Sequence, residues 1–310
     1  MNKIKLFSGN GNVPLANSIA HEMGLRLSEI SWRRFSDDEM YLQIKENVRG
    51  ADVFFIQSLS APASDNLMEL FFAVDALKRA SAGRVTAVTP YFCYARQDRK
   101  DRPRVPISAR VVADLLETVH IDRLLTMDLH AAQIQGFFRI PVDHLIAAPI
   151  MAEYYHKQAL GPDVTVVSPD IGGTARARSF SDRMGAPLAI IDKRRPEPNV
   201  SEVMNIIGAV KGRKCIMVDD LADTAGTLAK GAVALMEAGA VSVSACATHG
   251  VLSNGAQDKI NDSVLTELVV TDTIPGHIQS DKMRTLTVAG LFARAIWAIH
   301  EELSVASLFK

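Results

Sequence analysis

The chain has 310 residues, 48% of them apolar, and its 34 Lys and Arg against 35 Asp and Glu leave a formal net charge of −1. Such a length exceeds one ordinary core and suits two domains of roughly 150 residues each, while the lack of a basic field excludes a charge-driven binder of nucleic acid or membrane lipid. Three cysteines, Cys93, Cys215 and Cys246, are odd in number and lack paired metal spacing, and no apolar run approaches the ~18 residues of a membrane span, so the chain reads as a soluble cytoplasmic protein without disulfides or structural zinc, acting on a small molecule.

Ile4 to Phe7 predicts a first strand, and Ser8-Gly-Asn-Gly-Asn12 with Pro14 predicts a turn and a helix through about Met23. Ser28 to Arg34 alternates like a half-exposed strand and runs into Phe35-Ser-Asp-Asp-Glu39, an acidic cluster that is either a solvated turn or a binding turn. Val53 to Gln57 is a buried strand and Asp65 to Ala80 has helical spacing, which together make a βαβ unit with the next strand, Arg84 to Pro90. That strand empties into Tyr91 to Arg104, where Arg96, Arg99, Lys100, Arg102 and Arg104 sit among aromatics. Solvation, a polyphosphate clamp and stacking on a base all fit such a loop. Pro106 opens a helix to about Val119, and the strand Asp122 to Met127 ends in Asp128-Leu-His130, where His130 reads as a structural histidine or as a contact to metal or phosphate.

A helical piece from Ala147 to Gln158 and the loop Gly161-Pro-Asp163 mark a boundary, after which strand–helix alternation begins again. The strand Val164 to Val167 enters Ser168-Pro-Asp-Ile-Gly-Gly173, whose Asp170 is a candidate ligand, before a helix from Thr174 to Met184. The strand Pro187 to Ile191 ends in Asp192-Lys-Arg-Arg-Pro-Glu-Pro-Asn199, cations and prolines that predict a mobile or extended segment. The most informative stretch runs from Cys215 to Ala229: an apolar strand, then Asp219 and Asp220, then Asp223-Thr-Ala-Gly-Thr227 leading into a helix. Backbone N–H groups and two hydroxyls at the positive end of that helix form a phosphate cradle, and carboxylates at the strand's end can accept sugar hydroxyls. Taken alone, the same residues also read as a solvated turn and a helix cap. A helix to about Ala238, strands over Val241 to Thr248, Leu265 to Thr271 and Arg284 to Val288, and an amphipathic helix from about Leu291 to Glu302 finish the chain.

Phe35-Ser-Asp-Asp-Glu39, Tyr94 to Lys100, Asp128-Leu-His130, Gln135-Gly-Phe-Phe138, Ser168 to Gly173, Lys193-Arg-Arg195, Asn199 and Val218 to Thr227 together resemble the ribose-phosphate diphosphokinases, of the phosphate-activated bacterial type. The resemblance covers essentially the whole chain, with departures at Asp38, Cys93 and Arg139, where the family carries Gly, a small residue and an acidic or amide residue. It implies an α/β fold of two phosphoribosyltransferase-like domains, 1–147 and 148–310, each a parallel sheet flanked by helices, with the final helix and tail packing back on the first. It implies transfer of the ATP diphosphoryl group to ribose 5-phosphate, serving nucleotide, histidine and tryptophan biosynthesis, with Mg²⁺ held by His130 and Asp170. ATP contacts are implied for Phe35, Asp37 and Glu39 from a neighbouring subunit and for Arg96, Gln97, Asp98 and His130. Ribose 5-phosphate contacts are implied for Asp219, Asp220, Asp223, Thr224, Ala225, Gly226 and Thr227, and transition-state stabilisation for Lys193 and Arg195. A homohexamer built from dimers is implied, with inorganic phosphate as activator and a regulatory site at Arg49, Arg102 and Ser307. A non-catalytic regulatory homologue and a transferase consuming the diphosphate are the competing readings. The uninterrupted Lys193-Arg-Arg195 segment disfavours the first and the adenine-type motifs of the N-terminal half disfavour the second.

Overall fold

The computed structural model describes residues 3–194, 203–276 and 280–309, which divide into two units. The first comprises residues 1–146 with two later pieces, 273–275 and 287–310; the second comprises 147–272 and 276–286.

In the first unit, strands β1 (Ile4–Ser8), β4 (Asp52–Ile56), β5 (Arg84–Thr89), β6 (Arg123–Met127) and β7 (Val142–Leu145) form a five-stranded sheet in that order, all parallel. A separate antiparallel hairpin, β2 (Ile30–Arg34) and β3 (Met40–Ile44), pairs Arg34 with Met40 across the acidic turn. Every residue of β4 is buried, as a parallel sheet covered on both faces requires. On one face Phe7, Phe55, Val85, Ala87 and Leu124 join Leu70, Val74 and Leu77 of α2 (Ala63–Arg79) and Val112 and Leu116 of α3 (Ser108–Thr118) in one cluster. Helix α1 (Val13–Glu22), with Asn12 capping the Leu15 N–H, packs against β1 and against α8 (Ala289–His300). That last helix is tied down by charge: His300 Nδ1 lies 2.7 Å from Asp52 Oδ2, and Arg84 bridges Asp52 through Nε at 2.8 Å and the Ile299 carbonyl through Nη2 at 3.0 Å.

The second unit holds a seven-stranded sheet ordered β10 (Val203–Ile207), β9 (Leu188–Arg194), β8 (Val164–Ser168), β11 (Lys214–Ala222), β12 (Ser242–Gly250), β13 (Leu268–Thr271) and β14 (Met283–Leu286). Among the described strands of this sheet only β10 is antiparallel, so the expected parallel sheet carries an antiparallel edge strand. Helices α4 (Ala148–Lys157) and α5 (Thr174–Met184) pack together with α5 on β8 and β11, while α6 (Gly226–Glu237) and α7 (Ala256–Asp262) close a second cluster around Met217, Ala245 and Val270. A Cβ at Gly231 would stand 3.1 Å from Ile191 Cδ1 and Met217 Sδ, so α6 lies this close to the sheet because that residue has no side chain. The chain builds outward from β8 to β10, then returns to β11 on the other side of β8. This reversal places a crevice at the carboxyl ends of β8 and β11, where open α/β sheets receive ligands.

The expected irregular segment begins later than the sequence suggests. Asp192, Lys193 and Arg194 continue β9, paired with Asn205, Met204 and Val203, because an antiparallel partner satisfies their backbone groups.

Candidate active site

The crevice of the second unit is built from two strand–loop–helix connections. At β11, pairing with β8 stops at Met217 while pairing with β12 continues to Ala222. Asp219 and Asp220 thus lie within the strand rather than after it, on the part that outruns β8. Asp220 is buried and Asp219 partly so, and Arg176 from the first turn of α5 reaches both, with Nη1 3.2 Å from each Oδ1. Burial pushes the Asp219 carboxyl up to about 7, Asp220 beside it pushes the same way, and Arg176 opposes them. Carboxylate oxygens accept from hydroxyl donors, the need of a polyhydroxyl ligand.

The following turn is fixed from both sides. Leu252 N–H donates to the Ala222 carbonyl and Ser253 N–H to the Asp223 carbonyl, both at 3.0 Å, and the Ser253 hydroxyl donates to Asp223 Oδ1. Ala225 then adopts a left-handed conformation, φ 59° and ψ 0°, and α6 starts at Gly226 with no side chain capping it among the described residues. The first-turn N–H groups of α6 are therefore left for an anion, next to the Thr224 and Thr227 hydroxyls. Lys259 of α7 donates to the Thr224 carbonyl at 3.3 Å, bringing a cation to the same turn.

At the end of β8, Asp170 Oδ1 accepts from the Gly173 N–H at 2.8 Å and the Ser168 hydroxyl donates to the Asp170 carbonyl at 2.6 Å. Lys193 has its backbone in β9; its side chain, and Arg195 and Asn199 entirely, lie outside the described residues.

The first unit carries the residues expected at ATP, in two places. The basic loop after β5 turns on Tyr94, φ 57°, whose carbonyl accepts from the Gln97 N–H. Ser108 at the start of α3 donates to Gln97 Oε1 at 2.5 Å, and Gln133 donates to Asp98 Oδ2 at 3.1 Å, so Gln97 and Asp98 are anchored while Arg96 is exposed. Cys93 at the base is buried, which pushes its thiol up to about 12 and makes it inert packing. His130 follows β6 and is exposed; the loop before it bends at Asp128, φ 37°.

In the hairpin turn, Asp38 has φ 71°, the left-handed geometry that Gly adopts freely, so the Gly-to-Asp departure keeps the turn. Arg34 compensates, donating to the Asp38 carbonyl at 3.0 Å and pairing with its carboxylate at 3.2 Å. Asp37 Oδ1 accepts from the Glu39 N–H. The Arg33 guanidinium lies 5.0 Å from the Phe35 ring centre and 4.3 Å from that of Tyr41, and both rings are exposed. Arg49, Arg102 and Ser307 are exposed too, and among the described residues none of them hydrogen-bonds or ion-pairs with another; Ser307 donates to the Ser304 carbonyl and Arg102 lies beside Asp101.

Sequence reasoning missed Arg176, Ser253 and Lys259. They come from other connections, 30 to 43 residues from their partners, and no local pattern marks them. Among the described residues no helix is long and apolar enough to cross a membrane.

Residues 4–119 match the family described as the N-terminal domain of ribose phosphate pyrophosphokinase, and residues 195–310 match the phosphoribosyl synthetase-associated domain. The chain is 56% identical to the ribose-phosphate pyrophosphokinase of Caldanaerobacter subterraneus subsp. tengcongensis, covering 99% of this chain and 98% of that one. It is 55% identical to the Clostridium tetani protein of the same name, over 99% and 97%. Its fold is similar to the crystal structure of phosphoribosylpyrophosphate synthetase from Mycobacterium smegmatis, with a TM-score of 0.92 and 41% identity over 97% of this chain and all of that one, 100%. With its two α/β units, its paired carboxylates above an uncapped helix and relatives alike from end to end, this chain belongs to the ribose-phosphate pyrophosphokinase family.

Proposed function

We propose that this protein transfers the diphosphoryl group of ATP to the 1-hydroxyl of ribose 5-phosphate, giving 5-phosphoribosyl 1-diphosphate and AMP. The observation that carries the reading is the β11–α6 connection, where Asp219 and Asp220 precede a turn whose helix begins without a cap. Residues 223–227 hold the 5-phosphate on backbone N–H groups and hydroxyls, and Asp219 and Asp220 accept the ribose hydroxyls. The sugar O1 forms a bond to the β-phosphorus of ATP while the bond from that phosphorus to the α-phosphate oxygen breaks, and the hydroxyl proton is lost. Such a displacement needs alignment and neutralisation of oxygen charge more than covalent help.

Arg96, Gln97, Asp98 and His130 hold ATP, and Phe35, Asp37 and Glu39 meet the adenine of a neighbouring subunit in a homohexamer built from dimers. Lys193 and Arg195 stabilise charge on the transferring phosphates. The donor set at Asp170 fits Mg²⁺: one carboxylate whose Oδ1 is fixed by the Gly173 N–H, with an oxygen to spare, suits an ion that takes few protein ligands and keeps phosphate and water oxygens. Asp170 would hold it, and when bound it supplies neutralisation of phosphate charge. Inorganic phosphate activates through Arg49, Arg102 and Ser307, and the cytoplasm is the compartment in which both substrates meet the enzyme.

Incubation of the purified protein with ATP, Mg²⁺, ribose 5-phosphate and phosphate is expected to form AMP and 5-phosphoribosyl 1-diphosphate in equal amounts. No AMP under these conditions would overturn the reading.

A further inference from the structure

We infer that His144 is a positioning residue for the nucleotide loop, acting through the backbone of Leu129; this inference rests on the assignment of that loop to ATP. Strand β6 ends at Met127, and the three residues that follow, Asp128, Leu129 and His130, leave the sheet. Two consecutive N–H groups tie them to β7: Asp128 donates to the Leu145 carbonyl at 3.0 Å and Leu129 donates to His144 Nε2 at 2.8 Å. The first bond continues the sheet register in which Met127 opposes Leu145. The second is different in kind, because a side chain stands where a carbonyl would ordinarily accept.

Leu129 itself is buried and its side chain belongs to the core of the first unit, so its N–H cannot turn to water. A buried donor must find a partner, and here the partner is one imidazole nitrogen. That nitrogen must be bare, which puts the ring proton on Nδ1. Gln135 Nε2, 3.3 Å from that protonated Nδ1, donates instead to the Ala132 carbonyl at 3.0 Å, which seats the 3₁₀ turn Ala132–Phe137 beside the ring. The bend this holds has a non-glycine residue at positive φ, Asp128 at 37°, a conformation that persists only where the surroundings fix it. With Leu129 locked on one side and the bend locked on the other, the Cα of His130 has little freedom. Removing the acceptor leaves the Leu129 N–H buried and unpaired, and the loop relieves this by peeling away from β7, taking His130 with it.

The test uses two substitutions of one residue. His144→Phe keeps a planar ring of similar size and has no acceptor, whereas His144→Gln carries an amide oxygen that can reach the same N–H. Calorimetric binding of a Mg²⁺ complex of a non-hydrolysable ATP analogue reads the loop without turnover, and steady-state KM values for ATP and ribose 5-phosphate read it with turnover. His144→Phe is expected to weaken analogue binding and raise the ATP KM by about tenfold, the cost of one unsatisfied buried donor, with the ribose 5-phosphate KM within about twofold; His144→Gln is expected to recover most of the loss. If His144→Phe does not fold, His144→Ala takes its place with the same expectation. Unchanged analogue binding in the acceptor-free variant, equal impairment in His144→Gln, or equal loss for both substrates would each overturn the inference. Failure of the parent protein to form AMP would instead overturn the proposed reaction.

Discussion

Replacing Arg176 with Met removes a cation that touches both Asp219 and Asp220 and leaves a side chain of similar length in its place. At an effective permittivity of about 20, a unit charge roughly 4 Å away contributes about 4 kcal/mol. Spread over two carboxylates and weakened by water that reaches a guanidinium 25% exposed, roughly 1.5–2.5 kcal/mol of it falls on Asp219, or about one to two pH units. The folded-state pKa of Asp219, about 7, already lies above its unfolded value, so between the two the folded protein binds more protons and its stability falls as pH rises. In Arg176→Met this decline extends to about pH 8–9. The same titration governs the ligand, because sugar hydroxyls donate better to a charged carboxylate. Calorimetric titration with ribose 5-phosphate from pH 6 to 9 is expected to show parent affinity dropping below about pH 7, and variant affinity about tenfold weaker at pH 7.5 but recovering by pH 9. The ligand's own phosphate titrates near pH 6 and affects both proteins alike. An identical pH midpoint in parent and variant, or a loss that high pH does not restore, would refute the reasoning.

Ala225→Val places a β-branched residue in the left-handed turn and overfills a buried position, so it should cost about 2–4 kcal/mol and abolish ribose 5-phosphate binding; retained affinity by calorimetry would exclude the turn as the phosphate cradle. Lys193→Ala should lower kcat at least a hundredfold, about 3 kcal/mol, with either KM little changed; steady-state kinetics with kcat intact would reject a transition-state role. Arg49→Ala should blunt activation by phosphate and allosteric inhibition by ADP, and an identical phosphate response with purely ATP-competitive ADP inhibition would leave no regulatory site there.

The strand–turn–helix from Cys215 to Ala229 was legible because an apolar run, small residues and hydroxyls fall in consecutive order, and α5 was legible to its ends because Gly173 precedes it and Gly185, left-handed at φ 60°, stops it. What sequence could not supply was partnership at a distance. Strand β3 alternates Met40, Leu42 and Ile44 inward, yet the acidic turn before it masks the hairpin until Arg34 is seen pairing with Asp38. Polar Asp192 to Arg194 become strand only because β10 returns beside them. Arg176 reads as one more helix-surface cation; its meeting with the carboxylate pair depends on the reversal of strand order at β8. The position of Asp219 and Asp220 inside β11 likewise follows from β12 outlasting β8.

The clasp between Asp52 and His300 joins residues 248 apart within one unit, and this sets a timetable for the nascent chain. At ribosomal speeds of about 5–20 residues per second, roughly 12–50 s separate the appearance of the two residues. For most of that interval Asp52 and Arg84 have emerged while α8, with Leu291, Phe292, Ile296 and Ile299, has not, so the apolar surface that this helix covers stays open. The second unit, whose strands all precede residue 287, can close first. The unit that starts the chain is therefore the later one to mature. A premature stop within α8 strikes a domain synthesised long before, which makes that segment a late checkpoint on whether early-made protein is kept or handed to chaperones and proteases.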